Sequence, residues 1–187
     1  LSSKSHWDIP VIINERPVHI LASHPTPPVF DGAENRNGRR NHDEIRFWLD
    51  YISVNNDYIY DDNNKYGGLQ SNAPFVIMGD LNASSTEGDA INSVMTQLLS
   101  HANVKDPLPE SQGGIQRSPG NQMAKYHTAH WQLRADYVLP SNNGWHIIDS
   151  GVFWPSNEMP EHRLIQSRKA SSDHRIVWLD LQLTTPQ

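Results

Sequence analysis

The sequence predicts a mixed α/β fold, and three observations predict it. Short apolar runs with β-branched members are bounded by Gly, Pro or Asn, as buried strands are. Between them lie stretches of ten or more residues with apolar positions at helical spacing. The chain has 187 residues, enough for one domain with its own core. Hydrophobic residues make up only 36% of it, which the six tryptophans offset because each buries a large area.

Ser2 to Asp8 is polar, with Trp7 as its only large apolar residue. Ile9 to Ile13 and Val18 to Ala22 read as two strands, joined by Asn14-Glu15-Arg16-Pro17 as a hairpin loop. The second runs into Ser23-His24-Pro25-Thr26-Pro27-Pro28, whose prolines stop the strand and stiffen its exit. Asp31 to Arg40 reads as a polar loop. A helix is expected from Asn41 to about Tyr51, with Asn41 as N-cap and Glu44 as its reciprocal partner. Ile45, Trp48, Leu49 and Ile52 form its inward stripe.

Asn55 to Asn72, rich in Asn, Asp, Tyr and Gly, reads as a loop. Phe75-Val76-Ile77-Met78-Gly79-Asp80-Leu81-Asn82 then reads as a buried strand with a polar end, and Pro74 suits its start. Gly88 to Leu99 reads as a second helix, with Ile91, Val94, Met95 and Leu98 on one face. His101 to His130 is a long irregular connection, of a length that is usually functional or mobile. Ala135 to Leu139 and Trp145 to Ile148 are strands bracketing a turn, and Ser150 to Ser172 is a polar loop. Arg175 to Leu183 closes the chain as a strand, with Ile176 and Trp178 on its inward face.

Composition removes several classes of function. The absence of cysteine rules out disulfides and thiolate zinc sites. No apolar run approaches membrane-spanning length. A net charge of −6 supplies no global positive field for nucleic acid, although a metal ion can supply positive charge locally to a phosphate substrate. No short-spaced histidine pair lies on a helix, so a histidine-rich zinc site is not expected. The chain opens on Leu1 with no signal-peptide pattern, and processing or truncation ahead of Leu1 is the expectation.

Four polar sites sit at strand ends: His24, the Asp80/Asn82 pair, Asp136 within Arg134-Ala135-Asp136-Tyr137-Val138-Leu139, and Ser172-Asp173-His174. Asp80 and Asn82 lie two apart and can point to the same side, offering a carboxylate with an amide. Asp136 lies inside an otherwise apolar strand, where an unpaired carboxylate is costly, and His174 is a candidate partner. Each site taken singly also has an ordinary structural reading, as a turn, a cap or a satisfied buried acceptor.

Taken in order, Ser-His-Pro, Gly-Asp-Leu-Asn, Arg-x-Asp-Tyr-Val-Leu and Ser-Asp-His resemble the endonuclease/exonuclease/phosphatase superfamily over roughly Asp8 to Leu183. The resemblance implies the DNase I-like four-layer α/β/β/α sandwich and divalent-metal-dependent hydrolysis of a phosphoester, a phosphodiester (nuclease) or a phosphomonoester (phosphatase). By the same resemblance Asp80 would orient or deprotonate the attacking water, and Asn82 would bind the scissile phosphate or that water. Asp136 would pair with His174 and fix its tautomer. His174 would act as general base or phosphate-stabilising cation. His24 would contact the phosphate or assist the leaving oxygen. Asp173 would bind the metal, Mg²⁺ or Mn²⁺ with Ca²⁺ as a further candidate. The Ser-His-Pro-Thr-Pro-Pro form looks like that of bacterial members found as secreted or multidomain proteins.

The family domain is usually longer, and its first half carries an early Asn and a metal-binding Glu. No strand-end Glu precedes Ile9. The chain therefore looks like about the second half of one such domain, with its metal side incomplete and little activity alone. An apolar sheet face would then be left for the rest of the domain or for a second chain. Arg36, Arg39 and Arg40 could grip phosphates near His24, or pair with Asp31, Glu34, Asp43 and Glu44. The competing classes are a family fold without turnover, acting as a binding module, and a carbohydrate-binding β-domain. The second would display rows of exposed aromatic residues, whereas Trp48 and Trp178 fall on inward faces.

Overall fold

The structure, a computed structural model, describes residues 4–54, 56–69 and 72–184. Leu1, Ser2 and Ser3 of the opening polar stretch lie outside these, as do Asn55, Gln70 and Ser71 of the expected loop.

A four-stranded sheet has the order β1 (His6–Ile13), β2 (Arg16–Ser23), β3 (Phe75–Asp80), β4 (Asp136–Pro140). β1 and β2 form a hairpin whose turn is only Asn14 and Glu15, both at positive φ (48° and 63°). Two central residues of this conformation match the twist of the flanking strands. The turn is two residues shorter than expected, because Arg16 and Pro17 already pair with Ile13 and Ile12. β2 runs parallel to β3 and β3 antiparallel to β4. A parallel pair needs a crossover, and α1 (Arg36–Tyr51) makes it. A second sheet pairs β5 (Trp145–Val152) with β6 (Val177–Leu183).

The core lies between one face of the larger sheet and the helices. Leu21, Ile77 and Leu139 are cross-strand partners in one buried row. Ile45, Trp48, Leu49 and Ile52 of α1 cover that row, with Val94, Met95 and Leu98 of α2 (Asn92–Leu99). This is the stripe the helical spacing predicts.

Several boundaries differ from expectation. α1 begins at Arg36, inside the expected polar loop, because the carboxylate of Asp31 accepts the N–H groups of Asn37 and Gly38 at 2.8 Å each. Asn41 is therefore not a cap but a buried residue of the helix interior. α2 starts four residues later than expected, at Asn92. A short helix, α3 (Gln112–Arg117), interrupts the expected irregular connection, with Ser111 accepting the Gly114 N–H at 3.2 Å. Two glycines in six residues hid it. β5 continues past Ile148 to Val152, with a register shift between Ile147 and Asp149.

The inward face of β6 is the opposite of the one expected. Val177, Leu179, Leu181 and Leu183 are half-buried, while Ile176 and Trp178 are exposed. Pairing decides this: Trp178 lies opposite Gly151, and its indole fills the space a side chain would take there.

The other face of the larger sheet buries Val18 and Val76 and meets β6 along β4, but it is exposed along β1. Trp7, Ile9 and Val11 on β1 are 60%, 41% and 39% exposed. These three side chains form an exposed apolar strip along the β1 edge of this face.

Candidate functional site

The site forms at the ends of three neighbouring strands of the larger sheet. β3 is flanked by β2 and by antiparallel β4, so its last residue lies beside the exit of β2 and the first residue of β4. Asp80 and Asp136 are direct partners across the antiparallel β3–β4 pair. His24 follows the last residue of β2.

Gly79 permits this convergence. Its φ is +146°, and a Cβ there would sit 2.0 Å from the Ser23 carbonyl oxygen. Only glycine allows so close an approach of two backbones. Asp80 is thereby brought beside His24, with His24 Nε2 3.3 Å from Asp80 Oδ2. Asn82, at φ 52°, turns back on the same carboxylate, its N–H donating to Asp80 Oδ1 at 2.9 Å. The Asn82 side chain donates one N–H to the Pro25 carbonyl at 3.1 Å, tying the His24 loop to the β3 exit.

α1 braces both loops from beneath. Asn41 Nδ2 donates to the carbonyls of Thr26 and Leu81, each at 3.0 Å. The buried Glu44 carboxylate accepts the Thr26 N–H at 2.6 Å. Trp48 Nε1 donates to Ser23 Oγ at 2.8 Å. Residues 41, 44 and 48 share one helical face, so a single element sets the position of His24 and of Asp80 to Asn82.

His174 arrives just before β6 and places Nδ1 2.9–3.0 Å from both oxygens of Asp136. Its Nε2 lies 3.7 Å from Asp80 Oδ2. A second brace escapes any sequence pattern. Thr128, fully buried, donates its hydroxyl to Asp136 Oδ2 at 2.7 Å. The Thr128 hydroxyl oxygen itself accepts the N–H groups of Ala135 and Asp136, each at 3.0 Å. Trp131 sets its ring edge-on to His174, with centroids 4.8 Å apart. Asp173, although adjacent to His174, directs its carboxylate to the guanidinium of Arg168. His24, Asp80, Asn82, Asp136 and His174 are thus brought together, and the Asp173 carboxylate lies apart from them, on Arg168. Of the nearby arginines, Arg36 is in the first turn of α1 and faces Glu34 at 3.5 Å.

Two proton affinities are displaced. Burial raises that of Asp80, and the negative charge of Asp136 raises it further, against the Asn82 N–H and the two histidines. The hydrogen bond to Asp136 raises that of His174, with burial opposing. The cluster therefore favours an imidazolium between two carboxylates, one of them unusually basic.

Ligand atoms of Asp80, Asp136 and His174 all lie within 4.8 Å of one another. Two carboxylates and an imidazole fit Mn²⁺, and through their oxygens Mg²⁺. They already have partners, however. Nδ1 of His174 is committed to Asp136.

The sequence matches the model of the Endonuclease/Exonuclease/phosphatase family over residues 7–174. An endonuclease/exonuclease/phosphatase from Beutenbergia cavernae DSM 12333 has a similar fold, with a TM-score of 0.60 at 19% identity. The similarity covers 96% of this chain and 39% of that one. The catalytic domain of human nocturnin gives a TM-score of 0.52 at 16% identity, over 98% of this chain and 54% of that one. This chain thus spans about half or less of the length of either. Among curated proteins, none matches it significantly.

Proposed function

The chain belongs to the endonuclease/exonuclease/phosphatase family, and from that premise we propose that its site hydrolyses a phosphoester bond by in-line attack of an activated water. The bond is a phosphodiester or a phosphomonoester, in nucleic acid or in a small phosphorylated molecule. The observation that carries this reading is the unbroken run of contacts His24–Asp80–His174–Asp136 at three adjacent strand ends.

Each residue has a distinct task in this proposal. Asp80 orients the water and takes its proton, and its raised proton affinity makes it a better base than an ordinary carboxylate. Asn82 uses one amide hydrogen on Pro25 and has a second for a phosphate oxygen. Asp136 fixes the tautomer of His174 through Nδ1, so that Nε2–H faces the substrate side with positive charge. That charge meets the negative charge that grows on the phosphate oxygens. His24, with a side chain 59% exposed, stands at the mouth and donates to the phosphate or leaving oxygen.

Mg²⁺ or Mn²⁺ is the proposed cofactor, with Ca²⁺ as a further candidate. When bound, it acts as a Lewis acid on the phosphate oxygens. Asp173 would hold it in exchange for Arg168, together with the cluster carboxylates. The open face around Trp7, Ile9 and Val11 would be covered by the remainder of the domain or by a second chain.

A second reading, a family fold that binds without turnover, is favoured by one observation: the Asp173 carboxylate is occupied by Arg168. Incubation of the protein, with the remainder of its domain present, with bis(4-nitrophenyl) phosphate and Mg²⁺ or Mn²⁺ separates the two. Hydrolysis that stops on chelation is the expected result, together with a rise in melting temperature on adding the metal. Neither hydrolysis nor stabilisation would select the binding module.

A further inference from the structure

We propose that a second cavity, next to the catalytic cleft, binds a phosphate group that the substrate carries in addition to the one attacked. The proposal rests on reading the cleft as a phosphoester site. The cleft is lined by His24, Asp80, Asp136 and also Arg175. Arg175 in turn lines a cavity of about 270 Å³ with Arg117, His130, His162 and Trp154. Arg175 therefore belongs to the walls of both.

This cavity is rich in positive charge, and none of the residues lining it is acidic. The nearest carboxylates have other partners: Asp173 is on Arg168, and Glu158 accepts from Gln116 Nε2 at 2.9 Å. Among the described residues, no carboxylate forms an ion pair with Arg117, His130, His162 or Arg175. Arg117 instead meets His130, with Nη2 3.2 Å from Nε2. A guanidinium beside an imidazole requires that ring to be neutral, and His130 is held below its ordinary range by burial and then by Arg117 and Arg175.

Arg175 supplies the independent observation. Its residue is only 5% exposed, and its guanidinium lies over the Trp154 ring at 4.8 Å. Nη1 donates to the carbonyls of Ser172 and His174 at 2.8 and 3.2 Å. Nε has no partner. A buried guanidinium with an unused donor is costly, and an anion in the adjoining cavity offsets that cost through its charge. Arginine forks match the tetrahedral oxygens of phosphate, and two arginines share this cavity. Because Arg175 directly follows His174, a substrate with two phosphates can reach both places at once.

The test is a titration of the metal-free protein with inorganic phosphate, followed by NMR at the Trp154 indole and the His130 ring. Saturable shifts at both are expected. Arg117 is exposed, so Arg117→Gln keeps the fold, which circular dichroism checks, and it weakens binding at least tenfold. His24→Ala, at the cleft mouth, leaves these shifts in place. A second titration compares thymidine 3′,5′-bisphosphate with thymidine 5′-phosphate, and Arg117→Gln should erase a preference for the bisphosphate. The proposal is overturned by the absence of shifts, by equal affinity in Arg117→Gln, by loss of the shifts in His24→Ala, or by equal binding of the two nucleotides. None of these readouts needs turnover, so a protein that binds phosphate here yet hydrolyses nothing would refute the catalytic reading alone.

Discussion

The residue that shows most about the chemistry is Asp136. In a strand otherwise apolar, it has three engagements: the imidazole of His174, the hydroxyl of Thr128 and a place opposite Asp80. The histidine was legible as a partner, since a buried acid requires one and Ser-Asp-His lies nearby in a closing motif. Thr128 was not, because a lone threonine in a long connection has no pattern to mark it. The pairing has a measurable consequence. In the metal-free protein the NMR titration of His174 should fall above its ordinary 6.5 and move down in Asp136→Asn. A folded-state value raised in this way stabilises the fold fully below the ordinary value, and that contribution is lost as pH rises through the raised one. Chemical denaturation at several pH values should therefore show a loss of stability across that window, absent in Asp136→Asn. An identical titration in the two proteins would break the assigned pairing.

At the scale of elements, α1 is the brace on which the site depends. Asn41, Glu44 and Trp48 hold the two loops that carry His24 and Asp80. The inward stripe of this helix followed from its spacing, but its start and the task of its polar residues did not. Asn41 and Glu44 lie three apart, a spacing that serves equally for a capping box and for one inward face. The choice falls to Asp31, ten residues before Asn41, which satisfies the first helical N–H groups and lets the helix begin at Arg36. Removing Asn41 strands two buried carbonyls. Asn41→Ala should cost about 1–3 kcal/mol in denaturant unfolding. It should also lower turnover, although Asn41 lies beneath the loops. Unchanged stability would mean that the loops are held by other contacts.

At the scale of the molecule, the order of strands does most of the work. Parallel β2 and β3 end, and antiparallel β4 begins, at one edge of the sheet, and His174 enters from the start of β6. Residues far apart in the chain thereby become neighbours. Their convergence was legible because each ended a strand-like run in a motif of fixed order. The facing of β6 was not, since Trp178 reads as a core residue until Gly151 is placed opposite it. The cavity around Arg175 and Arg117 was equally hidden, because its walls come from a glycine-rich helix and an irregular loop. The proposed function holds that Asp80 activates water for attack on phosphorus. The direct measurement is the rate of Mg²⁺-dependent hydrolysis of bis(4-nitrophenyl) phosphate by the protein with its whole domain present and by its Asp80→Asn variant, each shown to be folded. A fall in kcat of at least about 100-fold is predicted for loss of a positioned general base. A folded Asp80→Asn that hydrolyses at the parental rate would contradict it.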